Sequence, residues 1–433
     1  MLSDPHTQNV LYEFCEYKRN ILTKVIDLFL KLLGMGNTVW KEVKVHALRP
    51  SMLIKCSPFY NRSLNAIPTV SLRMTQPLAI ELYHAIIQHI DNRGDLLSLS
   101  LCCLAFRNEA QRCLFRHVEP YSERQLIRLM STINASPLRL GPLIHTFRLN
   151  DVKESAPDEG NEDPAAPLSI SMALRSMCNL EHLRIERSLP STILQGCTFK
   201  LRTLVWHGYL EKPSLSFLFY HFLPTQHSIK RLNILYHRDP DDSEELPTDL
   251  CPTLDSLKSN DRIIISCLLR NDRLITRFQR GTMGNSMPTM TIRQLNHLKY
   301  LQCLIYYLDM DTSSSFTLQL TSLVLLELHL SYKPQSVDLL IKMLQFLKHL
   351  PCLEVLVVEN HFKNNLNFSS AYQHAFELRP TLKYIDVEHQ PNKFYVRFFP
   401  PGNGVLVRRR VHQREVLGWR RQYGVGPAYF DYV

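Results

Sequence analysis

The sequence predicts an α/β chain in two parts: a small all-helical module, then a curved array of repeated strand-and-helix units, with parallel strands inside and helices outside. Three observations carry that expectation. Between residues 78 and 118, apolar side chains recur at helical spacing. From Leu180 onward, the pattern L-x-x-L-x-L returns at intervals of 21 to 29 residues where neighbouring copies are clear. Leucine dominates while glycine is held to 14 residues, which suits helices and stacked leucine repeats better than a sandwich or a nucleotide fold.

The 433 residues allow two or three domains. A hydrophobic fraction of 45% and a charged fraction of 21% fit a globular chain with a sizeable core. The 11 cysteines are irregularly spaced and form no C-x-x-C pair, so they read as thiols among apolar positions in a reducing compartment. The N-x-S triplets at Asn61, Asn134 and Asn367 are then chance matches. The most apolar N-terminal stretch, Ile21 to Leu33, is broken by Lys24, Asp27 and Lys31, too short and too charged to span a bilayer. The expected location is cytoplasmic or nuclear, with no membrane partner.

Residues 1–73 form a poorly defined leader with ten Lys/Arg against five Asp/Glu. Two readings fit it: an upstream extension before a native start at Met74, or a loosely ordered leader or membrane-surface helix. Residues 74–120 are the helical module. A first helix is expected over 79–90, with Leu82, Ile86 and Ile90 on one face and Ile87 beside them. Asn92-Arg93-Gly94 breaks it, and Asp95 is placed to cap a second helix from Leu96 to about Leu104. A third runs from about 108 to 114, burying Phe106, Ala110 and Leu114. Ser122 with Gln125 predicts a capping box for a fourth over about 123–134.

The array is expected over 121–390. Its copies are IHTFRL at Ile144, LEHLRI at Leu180, LRTLVW at Leu201, IKRLNI at Ile229, a weak ITRF at Ile275, LKYLQC at Leu298, LLELHL at Leu325, LEVLVV at Leu353 and LKYIDV at Leu382. One strand and one helix cannot hide their own apolar faces, whereas stacked neighbours can, which predicts a leucine-rich-repeat solenoid. Residues between the inward leucines are expected on the concave side. The substrate-binding candidates there are Arg184, Arg202, Trp206, Asn233, Glu327, His329 and Glu354, with Asp386 on the last strand. Trp206 is the favoured anchor, since aromatics and arginine carry many hot spots; an outer flank packed under the next loop is its alternative. The acidic insertions 151–167 and 238–249 read as exposed loops.

Residues 391–433 are expected as a basic capping tail: FYVRFF and VLVRRR around PPGNG predict a hairpin. Lys393 to Arg421 holds eight Lys/Arg against one acid, a cluster able to bind phosphates or acidic protein surfaces, or to serve simply as a solvated face. No P-loop, GxGxxG, GxSxG or HExxH is present, and no histidine sits with cysteine at zinc-ligand spacing. The chain is therefore read as no enzyme, without catalytic residues, cofactor or metal.

Leu78, Glu81, Leu82, Ile86, Ile90, Asp95, Leu96, Leu97, Leu99, Ser100, Phe106, Arg107, Ala110, Leu114, Phe115, Arg116 and Val118 together resemble an F-box of the divergent type found in large fungal families. Its usual proline position holds Ala79, with Pro77 close by. The resemblance implies the substrate-recognition subunit of an SCF-type ubiquitin ligase, docked on a Skp-family adaptor and through it on a cullin, with an unknown protein substrate on the repeats. It implies adaptor contacts at Leu78, Leu82, Ile86, Ile87, Ile90, Leu96, Leu97, Leu99 and Phe106. The alternative is a leucine-rich-repeat interaction scaffold with no ligase role, its front helices packed on the chain's own later residues. Nucleic acid is not an expected partner.

Overall fold

The computed structural model describes residues 84, 87, 90, 92–101, 104–150, 165–207, 212–235, 246–247, 249–270, 272–280, 290–304, 314–330, 336–360, 368–389, 394–402, 405–412 and 415–416. The leader, most of the helix expected over 79–90 and most of both acidic insertions lie outside these residues. The chain divides into two compact units, Met1–Val118 with Leu138–Thr146, and Glu119–Pro137 with Phe147–Val433.

In the first unit, α1 (Arg93–Leu99) and α2 (Leu104–Arg116) precede the short strand β1 (His117–Val118). The α1 cap is Asn92, whose side chain accepts the Gly94 amide at 2.8 Å, rather than the expected Asp95. Asp95 instead lies in the first turn, where its charge suits the helix N-terminus. Ile87, Leu96, Leu99 and Ala110 form the unit's core, and Ile90, Phe106, Cys113 and Leu114 pack against it.

The second unit is mixed α/β. Its helix α3 (Glu123–Ala135) starts where the capping pattern places it: Ser122 Oγ accepts the Gln125 amide, and Gln125 reaches back to accept the Tyr121 amide. The strands are β2 (Thr146–Leu149), β3 (His182–Ile185), β4 (Thr203–His207), β5 (Arg231–Leu235), β6 (Ser256–Ser259), β7 (Arg277–Arg280), β8 (Tyr300–Leu304), β9 (Leu325–Leu330), β10 (Val355–Asn360), β11 (Tyr384–His389), β12 (Phe394–Gly402) and β13 (Val405–Val411). They follow chain order across one open sheet. From β3 to β11 each strand pairs in parallel with the next, while β12 and β13 are added antiparallel. Helical segments link many of the strands, among them α4 (Ala165–Ser176), α5 (Arg262–Leu268), α6 (Ile292–His297), α7 (Val337–Met343) and α8 (Ser369–Leu378).

The repeat fixes the register. Leu183, Leu204, Leu232, Leu257, Phe278, Leu301, Leu326, Leu356 and Ile385, the fourth positions of nine successive units, stand side by side across the sheet. All are buried, and full burial of such a side chain is worth about 1.5–3 kcal/mol. At the second position, each carbonyl accepts amides from the next unit: Glu181 from Arg202 and Thr203, Arg202 from Lys230 and Arg231, and Lys230 from Asp255 and Ser256. Ser228 and Thr253, just ahead of their units, donate their hydroxyls to the carbonyls of Leu201 and Ile229 one unit back.

Two of the expected copies are revised. The unit around β9 begins at Leu323, not Leu325, because Leu326 stands between Leu301 and Leu356. The two-residue offset leaves every side chain on its expected face, since the strand period is two. A unit absent from the sequence reading, LDSLKS at Leu254, supplies β6. Its sixth position is Ser259, which is fully buried, so a search for leucines passes over it.

Candidate functional site

Two surfaces answer the expectations, one in each unit. In the first unit, Ile87, Leu96 and Leu99 do not offer a docking face: their side chains make the unit's own core with Ala110. Ile90 and Phe106 are partly buried against the same cluster. Leu78, Leu82 and Ile86 lie outside the described residues. Among the described residues of the expected set, Leu97 alone is exposed, at 52%, and it is joined by Leu101 at 57% and Leu104 at 67%. The latter two fall outside α1: Leu101 lies in the turn that follows it and Leu104 opens α2, whereas the sequence reading ran one helix to about Leu104. In the same unit, Glu109 accepts from His84 at 2.9 Å and from Arg112 at 3.3 Å. Burial pushes the Glu109 carboxyl up, but the His84 hydrogen bond and Arg112 outweigh it and hold its pKa below the ordinary value.

In the second unit the non-core face of the sheet is largely polar. One row runs Arg184, Val205, Asn233, Lys258, Gln279, Gln302, Glu327, Val357 and Asp386 across β3 to β11. Arg184 and Asn233 are half-buried on this face, as expected of surface candidates. Arg184 donates to Glu186, which also lies 3.4 Å from His207 Nδ1. Burial pushes the Glu186 carboxyl up, yet the His207 and Arg184 hydrogen bonds and charges prevail, holding it at about 2.

The other candidates are placed differently. Trp206 occupies the sixth position of its unit, between Ile185 and Ile234, and is 0% exposed. It belongs to the core, because L-x-x-L-x-L points its sixth residue inward whatever that residue is. Arg202 and Glu354 sit at second positions, at the strand starts, where Arg202 pairs with Glu181 at 3.2 Å and Glu354 with Lys383 at 2.8 Å. Glu327, His329 and Asp386 are on the expected face but buried.

Their burial has a local cause. On that face, Tyr300, Leu325, Val355, Val357, Tyr384, Tyr395, Val411 and Val416 close into an apolar cluster, packed by Phe399. Asp386 is bound there by both Arg397 Nε and Nη2 at 2.7 Å, and the guanidinium lies 3.9 Å from the Tyr384 ring centre. Arg397, expected within a solvated or phosphate-binding basic cluster, is thus a buried partner, whereas Arg408, Arg409 and Arg410 are exposed.

Between the apolar cluster and the open polar rows lies a connected group. Tyr300 donates its hydroxyl to Glu327 Oε2 at 2.8 Å, and Gln279 donates to Tyr300 at 2.8 Å. Gln302 Nε2 lies 2.5 Å from Glu327 Oε1 and 2.6 Å from His329 Nε2. The other ring nitrogen, His329 Nδ1, is 2.9 Å from Glu359 Oε2. Burial lowers the pKa of His329, but the hydrogen bond and charge of Glu359 and the charge of Glu327 more than reverse this, so positive charge is favoured here. No sequence signal announced the group: its members come from four strands, β7 to β10, and meet only through the register.

Cys251 and Cys303 are buried thiols and Cys197 is half-buried. Burial pushes Cys251 and Cys197 up to about 12, and Cys303 higher than its ordinary value. Among the described residues, no helix is long and apolar enough to cross a membrane. No protein-family model and no curated protein matches the chain.

Proposed function

We propose that this chain is the substrate-recognition subunit of an SCF-type ubiquitin ligase, working in the cytoplasm or nucleus. Its first unit grips a Skp-family adaptor, and its second, read as a curved leucine-rich-repeat solenoid, holds a protein client on the polar face of β3 to β7. The observation that carries the reading is the exposure of Leu97, Leu101 and Leu104, each more than half exposed and none of them a member of the small core of Ile87, Leu96, Leu99 and Ala110. Scattered single leucines on a surface need no partner, but three large exposed ones so close along the chain are suited to one. No bond is made or broken by the chain itself. It would act by proximity, raising the effective concentration of a client lysine near the ubiquitin carrier.

The test is titration of purified full-length protein with a recombinant Skp-family adaptor. The triple variant Leu97→Asp, Leu101→Asp, Leu104→Asp alters exposed positions and should keep the native circular dichroism spectrum. Adaptor affinity should fall by at least about 2 kcal/mol, roughly thirtyfold, if these leucines are central to the interface. Undiminished binding by the folded variant removes the patch from the interface. Absence of binding by the wild type favours the scaffold reading.

A further inference from the structure

The open sheet ends at β13, and among the described residues no strand lies beyond it. A strand paired on one side only turns alternate main-chain N–H and C=O groups outward, where another strand can meet them. The sequence of β13, VLVRRRV, contains no proline or glycine, so every residue keeps its amide donor. Pairing with β12 is regular from Val407 to Val411, and the register shift lies at the turn end, between Phe399 and Gly402.

Three exposed arginines occupy this edge. Arg408 stands opposite Phe398, Arg409 opposite Arg397 and Arg410 opposite Val396. Successive side chains alternate, so Arg408 and Arg410 project from one face of the strand and Arg409 from the other. The Arg410 guanidinium lies 3.9 Å from the Phe394 ring centre and that of Arg409 lies 5.8 Å from the Phe399 ring centre, which holds both close to the strand. Among the described residues Arg409 meets one carboxylate, that of Glu415 at 3.2 Å, whereas Arg408 and Arg410 meet none. Val407, next along the strand, is 54% exposed.

Charge selects the occupant. A second copy of the chain, pairing edge to edge, would set these arginines against themselves, and like charges directly opposite are destabilising. A nucleic acid offers phosphates but no main-chain amides to complete the ladder. An extended acidic segment supplies both. We propose that the outer edge of β13 takes up an acidic peptide as a further strand of the sheet, its carboxylates set against Arg408, Arg409 and Arg410 and an apolar side chain against Val407. Main-chain pairing gives such an edge its affinity, and the arginines, which can each bind a carboxylate through two N–H groups, give it selectivity. The surface rests on neither the adaptor patch nor the client face of β3 to β7.

The experiment titrates the full chain into a fluorescein-labelled peptide, Thr-Val-Glu-Glu-Glu-Val-Thr, which reads the same in either strand direction, and follows fluorescence anisotropy. The peptide with Gln in place of each Glu should bind roughly tenfold more weakly or worse. In the variant Arg408→Glu, Arg410→Glu the preference should reverse, so that a Lys-for-Glu peptide binds better than the Glu peptide. Should circular dichroism show that this variant does not fold, Arg408→Gln, Arg410→Gln takes its place, and the advantage of Glu over Gln peptide should shrink. Backbone N-methylation of alternate peptide residues tests strand addition: one of the two alternating sets should abolish binding and the other should not. A wild type that does not prefer the Glu peptide overturns the proposal and leaves the arginines as protection of the edge against self-pairing. Binding indifferent to both methylated sets overturns it too, as does an oligonucleotide that binds through these arginines where the peptide does not.

Discussion

At the sixth position of its unit, Trp206 packs among inward residues, and its indole Nε1 has no hydrogen-bond partner. A buried N–H left unpaired weakens the benefit of the ring around it. Trp206→Ala should therefore cost about 3–5 kcal/mol of stability, as large core truncations do, while Trp206→Phe should cost much less, since it removes the unpaired donor and keeps an aromatic ring. Urea unfolding of the two variants measures this; equal losses would contradict it. Glu186 makes a second residue-scale prediction. Its carboxyl is held at about 2 in the fold, below its ordinary unfolded value, so it contributes stability above pH ~4.5 that is lost as pH falls towards 2. Glu186→Gln should flatten the dependence of melting temperature on pH across that window and leave it alone near neutrality. A variant whose acid limb is as steep as that of the wild type would refute this assignment. Single residues were the least legible level of the sequence. Trp206 looks like a surface anchor until its place in the six-residue pattern is taken as decisive. Asn92 and Asp95 are both good caps, and only the backbone chooses between them.

Among elements, the hairpin β12–β13 was legible because alternation and a Pro/Gly turn are local signals. What holds it was not. Asp386 and Arg397 pair across β11 and β12, eleven residues apart, and both are buried. Burial raises the pKa of Asp386 even though Arg397 opposes it, so the pair depends on the guanidinium remaining in place. Removing one partner leaves the other charge buried and alone, at a cost of about 3–5 kcal/mol. Asp386→Ala should accordingly speed amide exchange in β12 and β13 far more than in β4 to β6, and the double variant Asp386→Leu, Arg397→Leu should recover part of the loss. Exchange that rises evenly over the sheet would argue against the pair as the hairpin's anchor. Strand starts were legible wherever the first and fourth positions held leucine or isoleucine. The LDSLKS unit escaped notice because Lys258 and Ser259 dilute its pattern, and LVLLELHL admitted two registers because leucine also fills the intervening positions. In both cases the neighbouring strands, not the segment itself, decide the pairing.

For the whole molecule, the period of the leucines foretold the principal architecture: strands in chain order, mostly parallel, with helical returns. A repeating unit is visible in sequence because each copy must present the same face to its neighbours. The candidate surfaces were only half visible, for a related reason. Apolar residues that make a small module fold and those left on its surface look alike in sequence, and the structure separates Leu96 and Leu99 in the core from Leu97, Leu101 and Leu104 outside it. The polar cluster on β8 to β10 needed the register before its members could be seen together. The proposed division of labour, adaptor on the exposed leucines and client on the sheet, is tested most directly by affinity purification with mass spectrometry of the full-length chain and its Leu97→Asp, Leu101→Asp, Leu104→Asp variant. The wild type should bring down a Skp-family adaptor, a cullin and a client, and the folded variant should keep the client while losing the other two. Adaptor and cullin missing from both samples, or retained equally in both, would contradict the account.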